Sequence, residues 1–276
     1  MRIKYSNVFL NVNKPEDYNE LSADIFFLHG FTGSSDDWDP VLPGIDNRFN
    51  KITVDLLGHG KSDFPADPSL YSWELQVEQL NKIINHITEQ KVILAGYSMG
   101  GRLSLCYAYT YPERVSGLVL ESTSPGIKDK TQREKRIRED EELAEFISVN
   151  SIQDFIEMWM NKEIFATQLR FSESKRKEIK KRKMKNNRVG ISNSLYGFST
   201  GKMPDLHSEL KNIKSKTLLI TGELDSKFTD INKSVVNKFP SAKHEIVKNA
   251  GHTVHLEESG KFIRAVNEFL KGFNNE

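Results

Sequence analysis

Six short apolar runs recur along the chain, and each ends in a turn rich in glycine or polar residues. The stretches between several of them have the apolar spacing of amphipathic helices, as over 73–88. Short buried strands that alternate with helices predict an α/β fold with a mostly parallel central sheet and helices on both faces. The six predicted strands are residues 24–28, 51–54, 92–95, 117–120, 217–220 and 244–247.

The alternation of strands and helices lapses between about residues 127 and 206, where the pattern is helical and highly charged. We therefore predict a helical cap at 128–205, inserted between a core part at 1–127 and a second core part at 206–276. Between Phe171 and Arg188 there are nine Lys and Arg against two Glu. Such a run is typical of a solvated helix face, but its place opposite the strand ends favours steering of a polyanionic substrate.

Composition narrows the class of protein. The 276 residues carry a net charge of +1, which gives no indication of a nucleic-acid or membrane partner. The single Cys106 excludes an internal disulfide and a multi-cysteine metal site, so we expect a small buried side chain there. No run approaches the roughly 20 apolar residues of a membrane span. We predict a cytoplasmic protein that binds a small molecule, with no metal, no cofactor and no integral membrane contact; the oligomeric state stays open.

The stretch AGYSMGGRLS places Ser98 in a Gly-x-Ser-x-Gly frame, directly after a predicted strand and before a helix. A serine on such a sharp turn has a strained backbone, and flanking glycines remove the clashes that side chains would cause. The helix that follows directs backbone N–H groups towards an anion formed there. We therefore predict that Ser98 is the reactive residue.

A serine needs an activating partner, and two residues at other strand ends can supply it. Asp225 follows one strand in TGELDSKF, and His252 follows another in NAGH. The order Ser98, Asp225, His252 is the order expected for a catalytic triad on this fold. The alternatives are His255 as the base, expected instead as a structural or solvated helix residue, and Glu223 or Asp230 as the acid.

The loop LHGFTGS follows an early predicted strand and is the expected source of a second oxyanion donor. We predict that the N–H groups of Phe31 and Met99 form this oxyanion hole. His29 and His59 each precede a glycine in a turn, and we interpret both as residues that stabilise loops.

The motifs LHGFTGSSDDW, DLLGHGKSD, GYSMGGR, GELDSKF and AGH together resemble the α/β-hydrolase superfamily over essentially the whole chain. GYSMGGR, SPGIKDKTQREKRIRED, FIEMWMNKEIFA and GELDSKF are also similar to the 2-succinyl-6-hydroxy-2,4-cyclohexadiene-1-carboxylate synthases of menaquinone biosynthesis. That resemblance implies elimination of pyruvate from a carboxylate-bearing cyclohexene, with no ester or amide hydrolysed. The general fold motifs alone specify only the fold and the triad.

The resemblance also implies a role for particular residues. It makes Ser98 the base, with Asp225 and His252 as its triad partners. It assigns substrate binding to side chains of the core and of the cap: Tyr97, Arg102, Arg136, Trp159 and Arg182. For the last of these positions, in KKRKMKNNR, Lys183 and Lys185 are equally plausible equivalents.

Arg102 follows Ser98 by one helical turn, so the two side chains share a helix face. An unpaired arginine would be costly to bury there. A substrate carboxylate could satisfy it by two parallel hydrogen bonds, and so could a protein acid such as Glu121. The residues alone leave both interpretations open, and the resemblance favours the substrate.

Two other functions remain open. A carboxylic ester or carbon–carbon bond hydrolase would use the same triad through an acyl-enzyme, and it would need neither Arg102 nor a cationic cap. A ligand-binding receptor could keep the fold and the triad as a recognition pocket. Dehalogenases and epoxide hydrolases of this fold are disfavoured, because they carry an aspartate where Ser98 stands.

Overall fold

A computed structural model describes residues 1–273, in which eight strands form one sheet. Their order across the sheet is β1-β2-β4-β3-β5-β6-β7-β8, and β3 to β8 are mutually parallel. The predicted mostly parallel sheet is therefore confirmed. The strands are β1 (Arg2–Tyr5), β2 (Val8–Asn13), β3 (Asp24–Leu28), β4 (Asn50–Val54), β5 (Val92–Tyr97), β6 (Val115–Glu121), β7 (Lys216–Gly222) and β8 (Ala242–Val247).

The sequence did not predict the first two strands. β1 pairs antiparallel with β2, and β2 pairs antiparallel with β4 at the edge of the sheet. Their turn is tight, with Ser6 at a φ of 50°. The six predicted runs fall within β3 to β8. β3 to β7 are mostly buried, as expected of parallel strands covered on both faces, whereas β8 at the edge of the sheet is mostly exposed.

Helices cover both faces of the sheet, and a group of them interrupts the core between β6 and β7. Within residues 1–273, the chain between these two strands contains helices and loops but no strand. The helices are α1 (Trp73–Ile87), α2 (Met99–Thr110), α3 (Lys130–Val149), α4 (Ile152–Met160), α5 (Glu173–Lys183), α6 (Arg188–Phe198), α7 (Ser226–Val235), α8 (Val254–Glu257) and α9 (Ser259–Leu270).

The apolar residues form one cluster on each face of the sheet and a third among α3, α4 and α6. The third cluster includes Ala144, Phe155 and Ile191, so these helices bury a small core of their own. Cys106 is a buried residue of α2, as predicted, and burial raises the pKa of its thiol to about 12. Among the described residues, no helix is both long and apolar enough to cross a membrane.

Candidate active site

Ser98 stands on a strained turn between β5 and α2. Its φ is 50° and its ψ is −102°, a conformation that costs a non-glycine residue about 1–3 kcal/mol. A Cβ at Gly96 would lie 2.5 Å from the backbone carbon of Gly100, so the glycine frame is needed for this close approach. The surrounding strand and helix thus hold the Ser98 hydroxyl at the carboxyl end of the sheet.

His252 connects Ser98 to Asp225. Its Nδ1 lies 2.7 Å from Asp225 Oδ2, and its Nε2 lies 3.4 Å from Ser98 Oγ. A carboxylate beside Nδ1 keeps the proton on that nitrogen, which leaves Nε2 free to accept the serine proton. The ring of Phe228 packs against His252 at a centroid distance of 4.6 Å. The structure therefore brings together the three predicted triad residues.

The alternative triad residues lie elsewhere. His255 is buried in α8, where its Nδ1 lies 2.8 Å from Glu121 Oε2. It is therefore structural rather than solvated. Asp230 is exposed in α7, and Glu223 accepts a hydrogen bond from the backbone N–H of Asn249. None of these groups is bonded to His252 in the described chain.

Phe31 and Met99 both line the pocket in front of Ser98. Met99 is the first residue of α2, so its N–H has no acceptor within the helix. The Phe31 ring packs edge-on against Trp159 at 5.1 Å. The next residue, Thr32, has a φ of 65°, which fixes a sharp bend in the loop. Both predicted oxyanion residues thus lie beside the triad.

His29 and His59 lie in loops behind the pocket, as predicted. His29 Nε2 accepts a hydrogen bond from the backbone N–H of Leu56 at 3.0 Å. The two imidazole rings are 5.0 Å apart. Burial lowers the pKa of both histidines, most strongly that of His59.

Arg102 lines the same pocket but has no carboxylate partner among residues 1–273. It donates a hydrogen bond from Nη1 to the Phe198 carbonyl at 3.0 Å and lies 4.6 Å over the Phe198 ring. The proposed pair with Glu121 is wrong, because that carboxylate is bonded to His255 instead. Burial lowers the pKa of Arg102 to about 10, which still leaves the guanidinium charged at neutral pH.

Arg136 reaches the pocket from α3 and brings an acid with it. Its Nε donates to Asp140 Oδ2 at 2.6 Å, one helical turn along, and both residues line the pocket. Asp140 was not predicted from the sequence, although its spacing of four residues from Arg136 is typical of a helical ion pair. Within residues 1–273, the two terminal nitrogens of Arg136 make no hydrogen bond to the protein.

Trp159 and Tyr97 complete the predicted set. Trp159 lines the pocket, and its buried Nε1 has no hydrogen-bond partner among the described residues. Tyr97 also lines the pocket, and its hydroxyl is 3.0 Å from Thr253 Oγ1. Burial raises the pKa of Tyr97 well above its usual value, so the phenol stays neutral.

The structure does not place Arg182 in the pocket. Its Nη1 donates to the Asp36 carbonyl at 2.7 Å, and its Nη2 lies 3.8 Å from Glu178. Lys185 is exposed and lies 3.8 Å from the Asp36 carboxylate. Lys183 bonds to the Thr32 hydroxyl at 3.0 Å. Arg182 and Lys183 at the end of α5, and Lys185 in the turn that follows, thus all contact the loop of the core that contains Thr32 and Asp36.

Lys227 is a pocket residue that the sequence analysis missed. It lies in α7, two residues after Asp225, and its ammonium is 5.8 Å from the centre of the Phe228 ring. The signal was present in GELDSKF, since a side chain in the first turn after a triad acid lies close to the site. Among residues 1–273, the pocket is therefore lined by three cationic side chains, Arg102, Arg136 and Lys227, and by the acid Asp140.

The fold and this site define a class of protein. A family model described as the alpha/beta hydrolase fold matches residues 25–259. The chain therefore belongs to the α/β-hydrolase family. A thermophilic esterase from Thermogutta terrifontis superposes with a TM-score of 0.83 at 20% identity, covering 99% of this chain and 98% of the esterase. At that identity the likeness shows the fold alone.

More similar proteins specify the branch of the family. A Bacillus subtilis (strain 168) protein provisionally named 2-succinyl-6-hydroxy-2,4-cyclohexadiene-1-carboxylate synthase is 46% identical over 252 residues, which is 90% of each chain. An Enterobacter synthase of that name is 26% identical, covering 90% of this chain and 91% of its own. The structure of MenH from S. aureus superposes with a TM-score of 0.89 at 30% identity, covering 95% of this chain and 98% of that one. Within the family, the chain thus groups with these synthases of menaquinone biosynthesis, and it is an enzyme of the lyase class.

Proposed function

We propose that the enzyme eliminates pyruvate from 2-succinyl-5-enolpyruvyl-6-hydroxy-3-cyclohexene-1-carboxylate. The product is 2-succinyl-6-hydroxy-2,4-cyclohexadiene-1-carboxylate. The names of the relatives support this product. The pocket supports a substrate with several carboxylates, because its walls carry more cationic than anionic side chains.

Ser98 acts as the base in this proposal. Its hydroxyl proton passes to His252 Nε2, which lies 3.4 Å away, while Asp225 holds the other ring nitrogen. The resulting alkoxide takes the proton from substrate C2, which is acidic because it adjoins the succinyl ketone. The N–H groups of Phe31 and Met99 stabilise the enolate oxygen that forms.

The second half of the reaction breaks the bond between ring carbon C5 and the ether oxygen. The enolate electron pair moves through C3 and C4 and forms the second ring double bond. The departing enolpyruvate takes the proton held by His252 and tautomerises to pyruvate. Ser98 has kept the C2 proton, so both catalytic groups return to their starting states without a covalent intermediate.

Arg102 is the observation that carries the proposal. Its guanidinium is buried one helical turn from Ser98, and its partners are the Phe198 carbonyl and ring. No carboxylate among residues 1–273 is bonded to it. Such a charge is costly to bury without an anion. A carboxylate of the substrate would supply that anion by a bidentate pair. A hydrolase for neutral esters would gain nothing from an arginine at this position.

Each cation suits one carboxylate of the proposed substrate. Arg102 lies deep in the pocket, Arg136 faces it from α3, and Lys227 stands at its exposed margin. The ring, succinyl and enolpyruvyl carboxylates number three, which matches the three cations. Asp140 neutralises part of the charge of Arg136 and directs its fork.

We also propose that residues 128–205 act as the cap of a core formed by 1–127 and 206–276. The separate apolar cluster of α3, α4 and α6 supports this division. So does the pocket, which has walls from both parts. We propose that the enzyme works in the cytoplasm, and its one buried free cysteine is compatible with that compartment.

Incubation with the enolpyruvyl substrate tests the function. Pyruvate release, followed with lactate dehydrogenase and NADH, should be rapid for the enzyme and nearly abolished for Ser98→Ala. Ser104→Ala is a matched control, because this serine is buried in the same helix and bonds only to the Gly100 carbonyl. Hydrolysis of neutral esters without pyruvate release would indicate the hydrolase, and binding without turnover would indicate a receptor.

A further inference from the structure

The cap touches the core directly behind the predicted oxyanion hole, through the turn that follows α5. Asn186 is buried in this turn, and both the oxygen and the nitrogen of its side-chain amide make hydrogen bonds. Its Nδ2 donates to the carbonyl of Thr32 at 2.8 Å and to that of Lys183 at 3.1 Å. Its Oδ1 accepts from the backbone N–H of Gly60 at 2.9 Å. One amide therefore joins the cap to two loops of the core.

Lys183 adds a second contact to the same loop residue. Its ammonium donates to Thr32 Oγ1 at 3.0 Å, and burial lowers its pKa. Thr32 is thus held at its carbonyl by Asn186 and at its hydroxyl by Lys183. These two residues belong to the cap, whereas Thr32 directly follows Phe31 in the loop of the core.

Thr32 needs such restraint because its backbone is strained. Its φ of 65° lies in the left-handed region, which is unfavourable for a β-branched residue. Strained conformations persist when surrounding contacts over-determine them. The N–H of Gly33 donates to the Gly30 carbonyl at 3.0 Å, so Phe31 and Thr32 are the two central residues of one turn. The φ of Thr32 therefore helps to fix the conformation of the turn that carries the Phe31 N–H.

We propose that Lys183 and Asn186 are positioning residues, which hold the Phe31–Thr32 segment in the conformation that the oxyanion hole requires. The basic end of α5 therefore acts on the reaction through the loop and not by touching the substrate. This inference rests on the proposed function only for the identity of the oxyanion. It also explains why the end of α5 faces the core rather than the pocket.

A double-mutant cycle on the Lys183–Thr32 contact tests the inference. Lys183→Met and Thr32→Val each remove one side of a single hydrogen bond while preserving shape. Each should lower kcat by on the order of tenfold with little change in KM, because removal of a whole oxyanion donor costs about 100- to 1000-fold. The double variant should be no worse than either single variant. Thr32→Ser keeps the hydroxyl and should retain wild-type kcat.

Lys181→Met is the matched control, because Lys181 is an exposed lysine of the same helix. Asn186→Ala should lower kcat further than either single variant, with Tm measured to identify loss of folding. A raised KM with unchanged kcat for Lys183→Met, not reproduced by Thr32→Val, would show direct contact with the substrate and overturn the inference. Loss of kcat in Thr32→Ser equal to that in Thr32→Val would also overturn it.

A second readout separates this inference from the proposed function. The rate of Ser98 acylation by p-nitrophenyl acetate also requires an oxyanion hole, and it needs no pyruvate elimination. Suppose that the wild-type enzyme releases no pyruvate, but Lys183→Met and Thr32→Val slow the acylation of Ser98 non-additively. The proposed function then fails and the positioning role stands. The positioning role fails alone if pyruvate is released and four variants have the same kcat as the control. These variants are Lys183→Met, Thr32→Val, the double variant and Asn186→Ala.

Discussion

Arg136 donates from Nε to Asp140 at 2.6 Å, and the pair faces the same pocket as Arg102, which has no carboxylate partner in the described part of the chain. The two arginines are therefore held differently. Asp140 fixes the direction of one guanidinium, whereas a carbonyl and an aromatic ring fix the other. Nearby Arg136 also contributes to the lowered pKa of Arg102, after burial. Two repelling cations in one pocket are most stable with an anion between them.

The first prediction concerns these arginines. Arg102→Ala and Arg136→Ala should each weaken transition-state binding by roughly 2–5 kcal/mol, the usual effect of truncating one partner of a buried charge pair. Arg102→Lys should recover little activity, because an ammonium does not reproduce the two-pronged geometry. The measurement is kcat/KM for pyruvate release. Arg138→Ala, an exposed arginine of the same helix as Arg136, is the control. Normal kcat/KM in both alanine variants would give the arginines a structural role.

The second prediction concerns Lys227. Lys227→Met should raise KM by about tenfold, which corresponds to roughly 1.4 kcal/mol, because it removes the cation at the pocket margin. It should also reduce the dependence of kcat/KM on ionic strength, since exposed charges are screened by salt. Lys233→Met in the same helix is the control. An equal salt dependence in both variants would mean that Lys227 does not meet the substrate.

The sequence was sufficient to predict the six parallel strands and to single out three residues that the structure brings together, because both depend on short local patterns. Ser98 directly follows β5, Asp225 comes three residues after β7, and His252 comes five residues after β8. β1 and β2 have a weaker signal, because β1 has a single buried residue and asparagines interrupt the apolar residues of β2. Their pairing depends on a turn that the pattern did not single out.

Side-chain partners were harder to predict, because they depend on how the elements pack. Glu121 ends the strand next to Ser98, and that adjacency made it a plausible partner for Arg102. In the structure this carboxylate is bonded to His255 of α8 instead. Arg182 was expected at the substrate, but in the structure its Nη1 donates to the Asp36 carbonyl in a loop of the core. Of the three contacts of Glu121, Arg182 and Arg136, only the Arg136–Asp140 pair lies within one helix, so only that pair could have been predicted from sequence spacing.

The third prediction concerns pH and stability. His29 and His59 have lowered pKa values in the folded state, so the unfolded chain binds more protons below about pH 6.5. Their contribution to stability is fully present above that pH and is lost as the pH falls towards the folded-state values. Asp55 and Asp37 partly oppose the shift of His29, whereas Lys183 strengthens it. The free energy of unfolding should therefore fall by up to about 1.4 kcal/mol per pH unit for each histidine.

Urea denaturation at pH 7.5 and 5.5 measures this loss. His59→Gln should lose less stability between the two pH values than the wild-type enzyme does. His86→Gln is the control, because His86 is exposed on α1. If His59→Gln and the wild-type enzyme lose equal stability on acidification, the acid sensitivity comes from other groups.

The fourth prediction concerns the triad as a unit. Ser98→Ala, His252→Ala and Asp225→Asn should each lower kcat by several orders of magnitude. Their effects should be far from additive, because Asp225 acts through His252, and the proton that His252 later gives to the leaving group comes from Ser98. The triple variant should therefore be little worse than Ser98→Ala. Full activity in Ser98→Ala would end the role of this serine as the base.

The last prediction separates elimination from hydrolysis. A hydrolase would form an acyl bond on Ser98 that water must resolve, whereas the proposed base only moves a proton. Substrate deuterated at C2 should therefore react more slowly if removal of that proton limits the rate. In water enriched in oxygen-18, the carboxylates of the ring product should stay unlabelled, because no water attacks the substrate. Denaturation during turnover and mass spectrometry should find Ser98 unmodified. An acyl group trapped on Ser98 from the native substrate, together with labelled product carboxylate, would contradict the elimination and establish the esterase mechanism.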